Sequence, residues 1–553
     1  MIRVNTVSES KVMKMLSFSL IVLVCLTQSI CFAGDHAILL PAETIAYISV
    51  DSWKAAGGLW DNSQFVPLSD EERRYQDTDF ADQFGVTLKT FGTFVSGRVT
   101  RAMISPKALD DGTTVIIAEV DPTAFNTWKQ QSGLRQVKDN LYSLAFTDSE
   151  KKSKTAYFLI LDDVIAISQQ QQPLTAVVQL ATSKDRSLAE ENDFSAARTR
   201  LVTQPNDDNT VQFEWFYCPQ FDAIEKEMVK GDARAKGMFH RHGLDAVTCL
   251  AGRLQQQKGS ANGEMSVTIL AKQPYRSTLG IFNPVENPAV SVPDWAFQLG
   301  RDGTVVQLDF VSATKNIAVL FDETFAEGIQ GTYLDLLEDI KSEDGMGLDL
   351  GKELFAKLGP TLIYLGDEAD QSWLVAIETS DAQGVADVVQ LLLEDDPDVK
   401  RETLDGTNAP LWRMTGTKDT PDWYLLVSGR FLFCGSSPTT WGAATQGTRK
   451  SQEMDRWFND VQALPDFGKS RKIVGLTWMK PDKDAIDAHS AANGMRGWFL
   501  GDYLQSKSWW DGQFRDLESM SSLMSAPTSS RNNSRGVTLQ ENAGGWTFYW
   551  KFQ

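Results

Sequence analysis

The sequence predicts an α+β chain built of two tandemly duplicated domains, each a largely antiparallel sheet with helices packed on it. Three observations carry this. Strand-like runs outnumber helix-like ones and several are joined by short hairpins, which argues against a doubly wound parallel sheet. A strand-to-helix unit, Thr210–Ile224 (TVQFEWFYCPQFDAI), returns as Lys472–Ile486 (KIVGLTWMKPDKDAI), with Pro219 and Pro481 separated by 481 − 219 = 262 and Ile224 and Ile486 by 486 − 224 = 262. Four more anchors recur in the same order: Thr44–Val50 with Thr304–Phe310 (offset 260), Val115–Glu119 with Leu374–Glu378 (259), Tyr157–Ile160 with Tyr424–Val427 (267) and Lys236–Phe239 with Arg496–Phe499 (260). That period is far longer than the roughly 20 to 50 residues of a solenoid repeat.

A chain of 553 residues is too long for one core, and the duplication divides it into a first repeat at 34–283, a linker at 284–290 and a second repeat at 291–553. The two prolines of Asn283-Pro284-Val285-Glu286-Asn287-Pro288 suit a linker. With 42% hydrophobic and 23% charged residues the chain has ample material for folded cores. A net charge of −20 repels phosphate backbones, so nucleic acid is excluded as a partner.

Residues 1–33 read as a signal peptide. Lys11 and Lys14 precede an apolar run from Met15 to Leu26, and Cys31-Phe32-Ala33 places small residues before Gly34. The apolar part is shorter than the ~20 residues a spanning helix needs, and no second run of that length follows, so the sequence predicts no integral membrane span once the signal is removed. Ile30 before Cys31 argues against a lipoprotein. The mature charge would be (53 − 3) − (73 − 1) = −22. Cys25 and Cys31 leave with the signal; Cys218, Cys249 and Cys434 remain, three being too few for a disulfide framework. Cys218 and Cys249 lie on strand-like runs and could bridge if those strands adjoin; otherwise they are buried thiols.

In the first repeat, Thr44–Val50 reads as a strand, Ser52–Trp60 as a short helix broken by Gly57-Gly58, and Asp70–Phe84 as a charged, solvent-facing stretch. Val86–Ile104 carries a turn or short helix into a strand at Val99–Ile104, Thr113–Val120 is a β-branched strand, and Asp121-Pro122 caps a helix through Trp128. Asn140–Phe146 precedes a hairpin, Ala156–Leu161 turning at Asp162-Asp163 into Val164–Ser168. The glutamines at 169–172 and Pro173 open a helix, because Leu174, Val177, Val178 and Leu180 recur at helical spacing. Phe194–Leu201 is a further short helix, and Val211–Cys218, Val247–Leu254 and Met265–Ala271 are strands, the last two a closing antiparallel pair. At the C-terminus Trp546, Phe548, Trp550 and Phe552 alternate along a strand expected to dock. Met520–Ser534 reads as a loop.

The opening LLPAETIAYISVDSW (39–53) behind a signal peptide, with GMGLDLGKELFAKLGPTLIYLGDE (345–368) and LLLEDDPDVKR (391–401), resembles a family of large, uncharacterised secreted or membrane-associated proteins of planctomycete-type bacteria. Its mature chains begin Leu-Pro-Ala-(Asp/Glu)-Thr-x-Ala-Tyr-x-Ser-Val. The resemblance implies export and this architecture, and it implies no activity.

Candidate chemistry is sparse. His240-Arg241-His242 offers imidazoles, but only His36 and His489 join them in the mature chain and no cysteine pair stands at ligand spacing, so no metal site is assigned. Cys434-Gly435-Ser436 ends an apolar strand with no histidine near in sequence, and there is no nucleophile elbow, phosphate loop or dinucleotide fingerprint. Catalytic, cofactor-binding and metal residues are therefore assigned to none, and no cofactor is expected. Asp395, Asp396 and Asp398 around Pro397, and Asp207-Asp208, could touch Ca²⁺ but lack the pattern of an EF-hand loop. Trp498, Phe499, Tyr503, Trp509, Trp510 and Phe514 read as core packing ahead of a stacking surface.

The expected function is an exported binding or structural module of the cell envelope or exterior, with an unknown protein or glycan partner; the residues lean away from an enzyme and leave catalysis open. The alternative is a secreted hydrolase using paired carboxylates in a cleft between the halves. A third possibility, a membrane-tethered accessory protein, requires the signal to remain attached.

Overall fold

The computed structural model describes residues 36–56, 70–104, 114–182, 186–201, 210–218, 246–257, 263–272, 290, 293, 295–296, 302–307, 338–342, 345–367, 372–404, 410–416, 422–436, 438, 441, 471–479, 534–541 and 546–552. The signal at 1–33, the linker at 284–289, Pro219 to Ile224, Lys236–Phe239 and their partners in the second half lie outside these residues.

Among the described residues, ten strands come from the first repeat: β1 (Ala46–Val50), β2 (Val95–Met103), β3 (Thr114–Val120), β4 (Arg135–Lys138), β5 (Leu141–Thr147), β6 (Ser153–Leu161), β7 (Val164–Ser168), β8 (Thr210–Tyr217), β9 (Val247–Gln257) and β10 (Gly263–Ala271). Ten more come from the second: β11 (Asp302–Gln307), β12 (Leu358–Asp367), β13 (Ser372–Thr379), β14 (Val399–Thr403), β15 (Pro410–Met414), β16 (Trp423–Ser428), β17 (Phe431–Gly435), β18 (Arg471–Met479), β19 (Ser534–Glu541) and β20 (Trp546–Phe552). Every pairing among them is antiparallel. The first ten run β4-β5-β6-β7-β3-β2-β1-β8-β9-β10 across the sheet. The second ten repeat that order, β14-β15-β16-β17-β13-β12-β11-β18-β19-β20. Strand β10 pairs with β20, so the two repeats form one 20-stranded sheet with β4 and β14 at its edges. The alternating C-terminal strand thus docks as expected, and it docks on the other repeat.

Register tests the duplication residue by residue. Glu119 faces Val164 and Glu378 faces Phe431, so the offsets 378 − 119 = 259 and 431 − 164 = 267 hold across adjoining strands. Ser49 faces Thr100 and Glu214, whereas Val305 faces Ile363 and Leu476. With Glu214 and Leu476 equivalent at 476 − 214 = 262, Ser49 corresponds to Val305 at 305 − 49 = 256. The match of Thr44–Val50 with Thr304–Phe310 at 260 is therefore displaced by four residues. An even slip keeps every side chain on its original face, so the apolar alternation disguises it.

Helices cover both faces of the first repeat's sheet. On the face that carries Tyr47 and Ser49 lie η1 (His36–Leu39), α4 (Gln171–Thr182) and α5 (Asn192–Arg200), with Phe194 of α5 edge-on to Tyr47 at 5.9 Å and to Phe216 at 4.8 Å. On the other face lie α1 (Asp70–Phe84), α2 (Leu88–Phe94) and α3 (Pro122–Ser132), where Trp128 meets Phe158 at 5.6 Å. Central strands buried on both faces read as continuous apolar runs such as TVIIAEV of β3, whose register pattern is buried almost throughout.

Asp70–Phe84, expected as a charged stretch, is the helix α1 with Phe80 and Phe84 fully buried. Its apolar residues are confined to one end, so no full-length stripe marks it. The end is pinned by Phe80 against Phe91 at 5.3 Å and by Asp77 Oδ1, which accepts the Leu88 N–H at 2.7 Å and so caps α2. Asp121 caps α3 by accepting the N–H groups of Thr123 and Ala124, and Gly133 at φ 78° ends the helix in the left-handed conformation that glycine tolerates. In the second repeat, Asp381 caps α7 (Ala382–Leu393) in the same way through Gly384 N–H, and α6 (Leu350–Glu353) and η2 (Phe355–Lys357) precede β12.

Candidate functional site

The sheet face beneath α5 and η1 holds a row of buried polar side chains. Antiparallel register places Thr100, Ser49, Glu214, Arg253 and Ser266 side by side on β2, β1, β8, β9 and β10. All five are buried, Thr100, Ser49 and Glu214 completely. Buried polar groups need partners, and the row divides into two sets that supply them.

The first set is a hydroxyl–imidazole chain. Ser49 Oγ and Thr100 Oγ1 are 2.8 Å apart, and Thr100 Oγ1 is 2.8 Å from His36 Nδ1. Burial, reinforced by the nearby Arg98 charge, pulls the His36 imidazole down to about 3, so it is neutral across the physiological range. Its Nε2 lies 4.0 Å from Glu119 Oε1, beyond hydrogen-bond length. A hydroxyl against an imidazole is the arrangement a nucleophile needs. Here both hydroxyls are sealed from solvent, so the chain anchors η1 to the sheet.

The second set is ionic. Arg253 Nη2 donates to Glu214 Oε1 at 2.9 Å, and Arg198 Nε of α5 stands 3.9 Å from the same oxygen. Burial pushes the Glu214 carboxyl well up, with Arg253 opposing that rise. Beside the pair, Gln255 Nε2 donates to Gln212 Oε1 at 2.9 Å. The same row in the second repeat reads Ile363, Val305, Leu476, Val537 and Tyr549 by register. Ile363 and Val305 there belong to a fully apolar core with Phe433 and Trp441. The ion pair and the hydroxyl–imidazole chain are thus properties of the first repeat's row, with only the Tyr549 hydroxyl standing in the second.

His240, His242, His489, Asp207, Asp208 and the aromatic segment from Trp498 to Phe514 lie outside the described residues. Asp395, Asp396 and Asp398 are described: Asp396 Oδ1 accepts the Asp398 N–H at 2.9 Å, closing an exposed turn on itself. Among the described residues no His, Cys, Asp and Glu side chains cluster as metal ligands. Cys434 ends β17 half-buried, its thiol pushed up to about 11 by burial. Sequence reasoning passed over Ser49, Thr100, Glu214 and Arg253 as candidates. The available signal was a glutamate inside the apolar run VQFEWFY, at a position whose repeat partner is leucine.

No family model and no curated protein sequence matches the chain. Among solved structures, crystal form I of TP0453 is similar over 44% of this chain and 82% of its own at 8% identity and a TM-score of 0.23; crystal form IV gives 43%, 81%, 8% and 0.23. Likeness at that level carries no inference about fold or function. No helix among the described residues is long and apolar enough to cross a membrane.

Proposed function

We propose that the chain is an exported binding or structural module of the cell envelope or exterior, engaging a protein or glycan partner. The observation that carries this reading is the β10–β20 ladder, which joins two copies of one scaffold into a single extended sheet. Duplication of this kind multiplies surface. Neither the ion pair nor the hydroxyl–imidazole chain of the row is repeated at Ile363, Val305, Leu476 and Val537, so the duplication did not copy those groups along with the scaffold. The N-terminal Lys11, Lys14 and Met15–Leu26 pattern supports export.

The hydrolase alternative placed facing carboxylates in a cleft at the join. The join at β10 and β20 is a ladder in which Thr547 and Thr268 meet with hydroxyls 3.0 Å apart, both buried. The one carboxyl raised by burial among the described residues, Glu214, faces arginines.

The test has two arms. N-terminal sequencing of exported protein is expected to begin at Gly34; retention of residues 1–33 would support the tethered form instead. The mature chain is then spun with isolated peptidoglycan sacculi and with vesicles of anionic phospholipid. Co-sedimentation with sacculi without release of soluble sugar supports the binding reading, and release of soluble sugar overturns it.

A further inference from the structure

We propose that Cys218 and Cys249 are a cross-strand dithiol that closes to a disulfide by exchange with a disulfide donor. The two are free thiols in the structure. Tyr217 of β8 faces Leu250 of β9, so the next antiparallel step opposes Cys218 to Cys249. The Cys218 N–H donates to Ile45 O, toward β1. Backbone groups that point to one neighbouring strand cannot also bond the other, so toward β9 the cysteines form a non-hydrogen-bonded pair. In such pairs the Cα atoms stand about 4.5 Å apart and the side chains lie close, within the ~4.4–6.8 Å that a disulfide spans. Both side chains lie on the face beneath α5, with Cys218 Sγ reaching Thr248 O at 3.4 Å on the opposite strand.

Exposure is graded in the order that exchange needs. Cys218 is part-exposed and Cys249 is fully buried. The Cys218 thiolate attacks one sulfur of the donor disulfide, breaking the donor S–S bond and releasing one donor thiolate. The Cys249 thiolate then attacks Cys218 Sγ, forming the intramolecular S–S bond and expelling the second donor thiolate. The two protons of the cysteine thiols end on the two donor thiols, and the donor is the species reduced. Burial first, then Asp193 and Glu191, hold the Cys218 thiol up at about 11. The first step therefore quickens about tenfold per pH unit below that value, because the thiolate is the nucleophile. Those carboxylates also disfavour an anionic donor, so a neutral one is the appropriate probe.

The full mature chain carrying Cys434→Ser retains only these two thiols. It is incubated with hydroxyethyl disulfide, unfolded, alkylated and weighed, and wild-type chain is peptide-mapped without reduction as a parallel measurement. The expected product is two hydrogens lighter than the reduced chain, takes no alkyl group, and yields a Cys218–Cys249 linked peptide in both proteins. It forms faster at pH 9 than at pH 7, and Cys218→Ser and Cys249→Ser each abolish it. Recovery of two alkylated cysteines, or of a Cys218 adduct of the donor that never resolves, overturns the proposal.

Discussion

Ser266 of β10 pairs with Tyr549 of β20, and Tyr549 occupies in the second repeat the position that Ser266 occupies in the first. Arg253 faces Ser266 as Val537 faces Tyr549, giving 537 − 253 = 284 and 549 − 266 = 283. On either side of that pair Met265 meets Trp550 while Val267 meets Phe548. With Val267 and Trp550 equivalent, and Met265 and Phe548 equivalent, each strand pairing is returned by its mate. The seam is isologous, as at a twofold dimer interface, with its pseudo-axis passing through the Ser266–Tyr549 pair.

A central strand that holds two repeats together makes the seam a point of coupling. Strand β20 is flanked by β10 and β19, so each interior N–H is committed to one neighbour. Thr547→Pro removes one such donor from a strand paired on both sides, where proline is not tolerated. The expected outcome is that one calorimetric transition of the mature chain becomes two, with proteolysis separating the repeats. A single unshifted transition would show that the seam does not couple them.

Equivalent caps should fail equally. Asp121 and Asp381 differ by 381 − 121 = 260 and each accepts backbone N–H groups at the start of its helix. Asp121→Ala and Asp381→Ala are each expected to cost about 1 kcal/mol in urea unfolding. Replacement by asparagine should recover most of the loss, because the amide oxygen accepts the same bonds.

The elements that were legible in the sequence are those whose burial repeats with a period. TVIIAEV of β3, the Asp121-Pro122 cap, the β6–β7 hairpin and the terminal strand all stand where the residues place them. Helix α1 was not legible, because its burial rests on Phe80 and Phe84 at one end. Edge strand β4, RQVK and exposed throughout, carries a single apolar residue, Val137, and so no alternation to read. The four-residue slip at β1 and β11 arose because alternation fixes face but not register. The join of the repeats was beyond reach, since nothing in β10 or β20 names its partner. The buried row was half-visible: Glu214 against Leu476 marked a lost or gained charge, but Arg253 could be matched to it only through strand pairing.

The imidazole of His36 ties stability to pH. Its folded value of about 3 lies below the ordinary 6.5, so between these values the unfolded chain binds the extra proton. The contribution is complete above pH 6.5 and is lost as pH falls toward 3, by up to about 1.4 kcal/mol per pH unit. The raised Glu214 carboxyl slopes the opposite way, favouring the folded state as pH falls. Comparing the chain with His36→Gln isolates the histidine. Urea midpoints measured from pH 7 to pH 5 should fall more steeply for the unaltered chain than for the variant, and parallel curves would contradict the burial of a neutral ring.

The two repeats also hold an internal comparison for the ion pair. Glu214 and Arg253 face one another in the first repeat where register puts Leu476 and Val537 in the second. Removing Glu214 takes from the buried Arg253 the opposite charge it faces, so Glu214→Leu alone is expected to cost up to about 3–5 kcal/mol. Replacing both, Glu214→Leu with Arg253→Val, copies the second repeat and removes the desolvation of two charges. That double variant is expected to recover most of the loss, and a buried pair exchanged for packed aliphatic residues is often neutral or stabilising by about 1–4 kcal/mol. Arg198, at 3.9 Å from the same carboxylate, is only part-buried and can turn toward water once Glu214 is gone. A complete double-mutant cycle in urea reads the coupling directly. Additive losses in the double variant would mean that the charges act through separate partners, and that their exchange for leucine and valine in the second repeat was not a paired event.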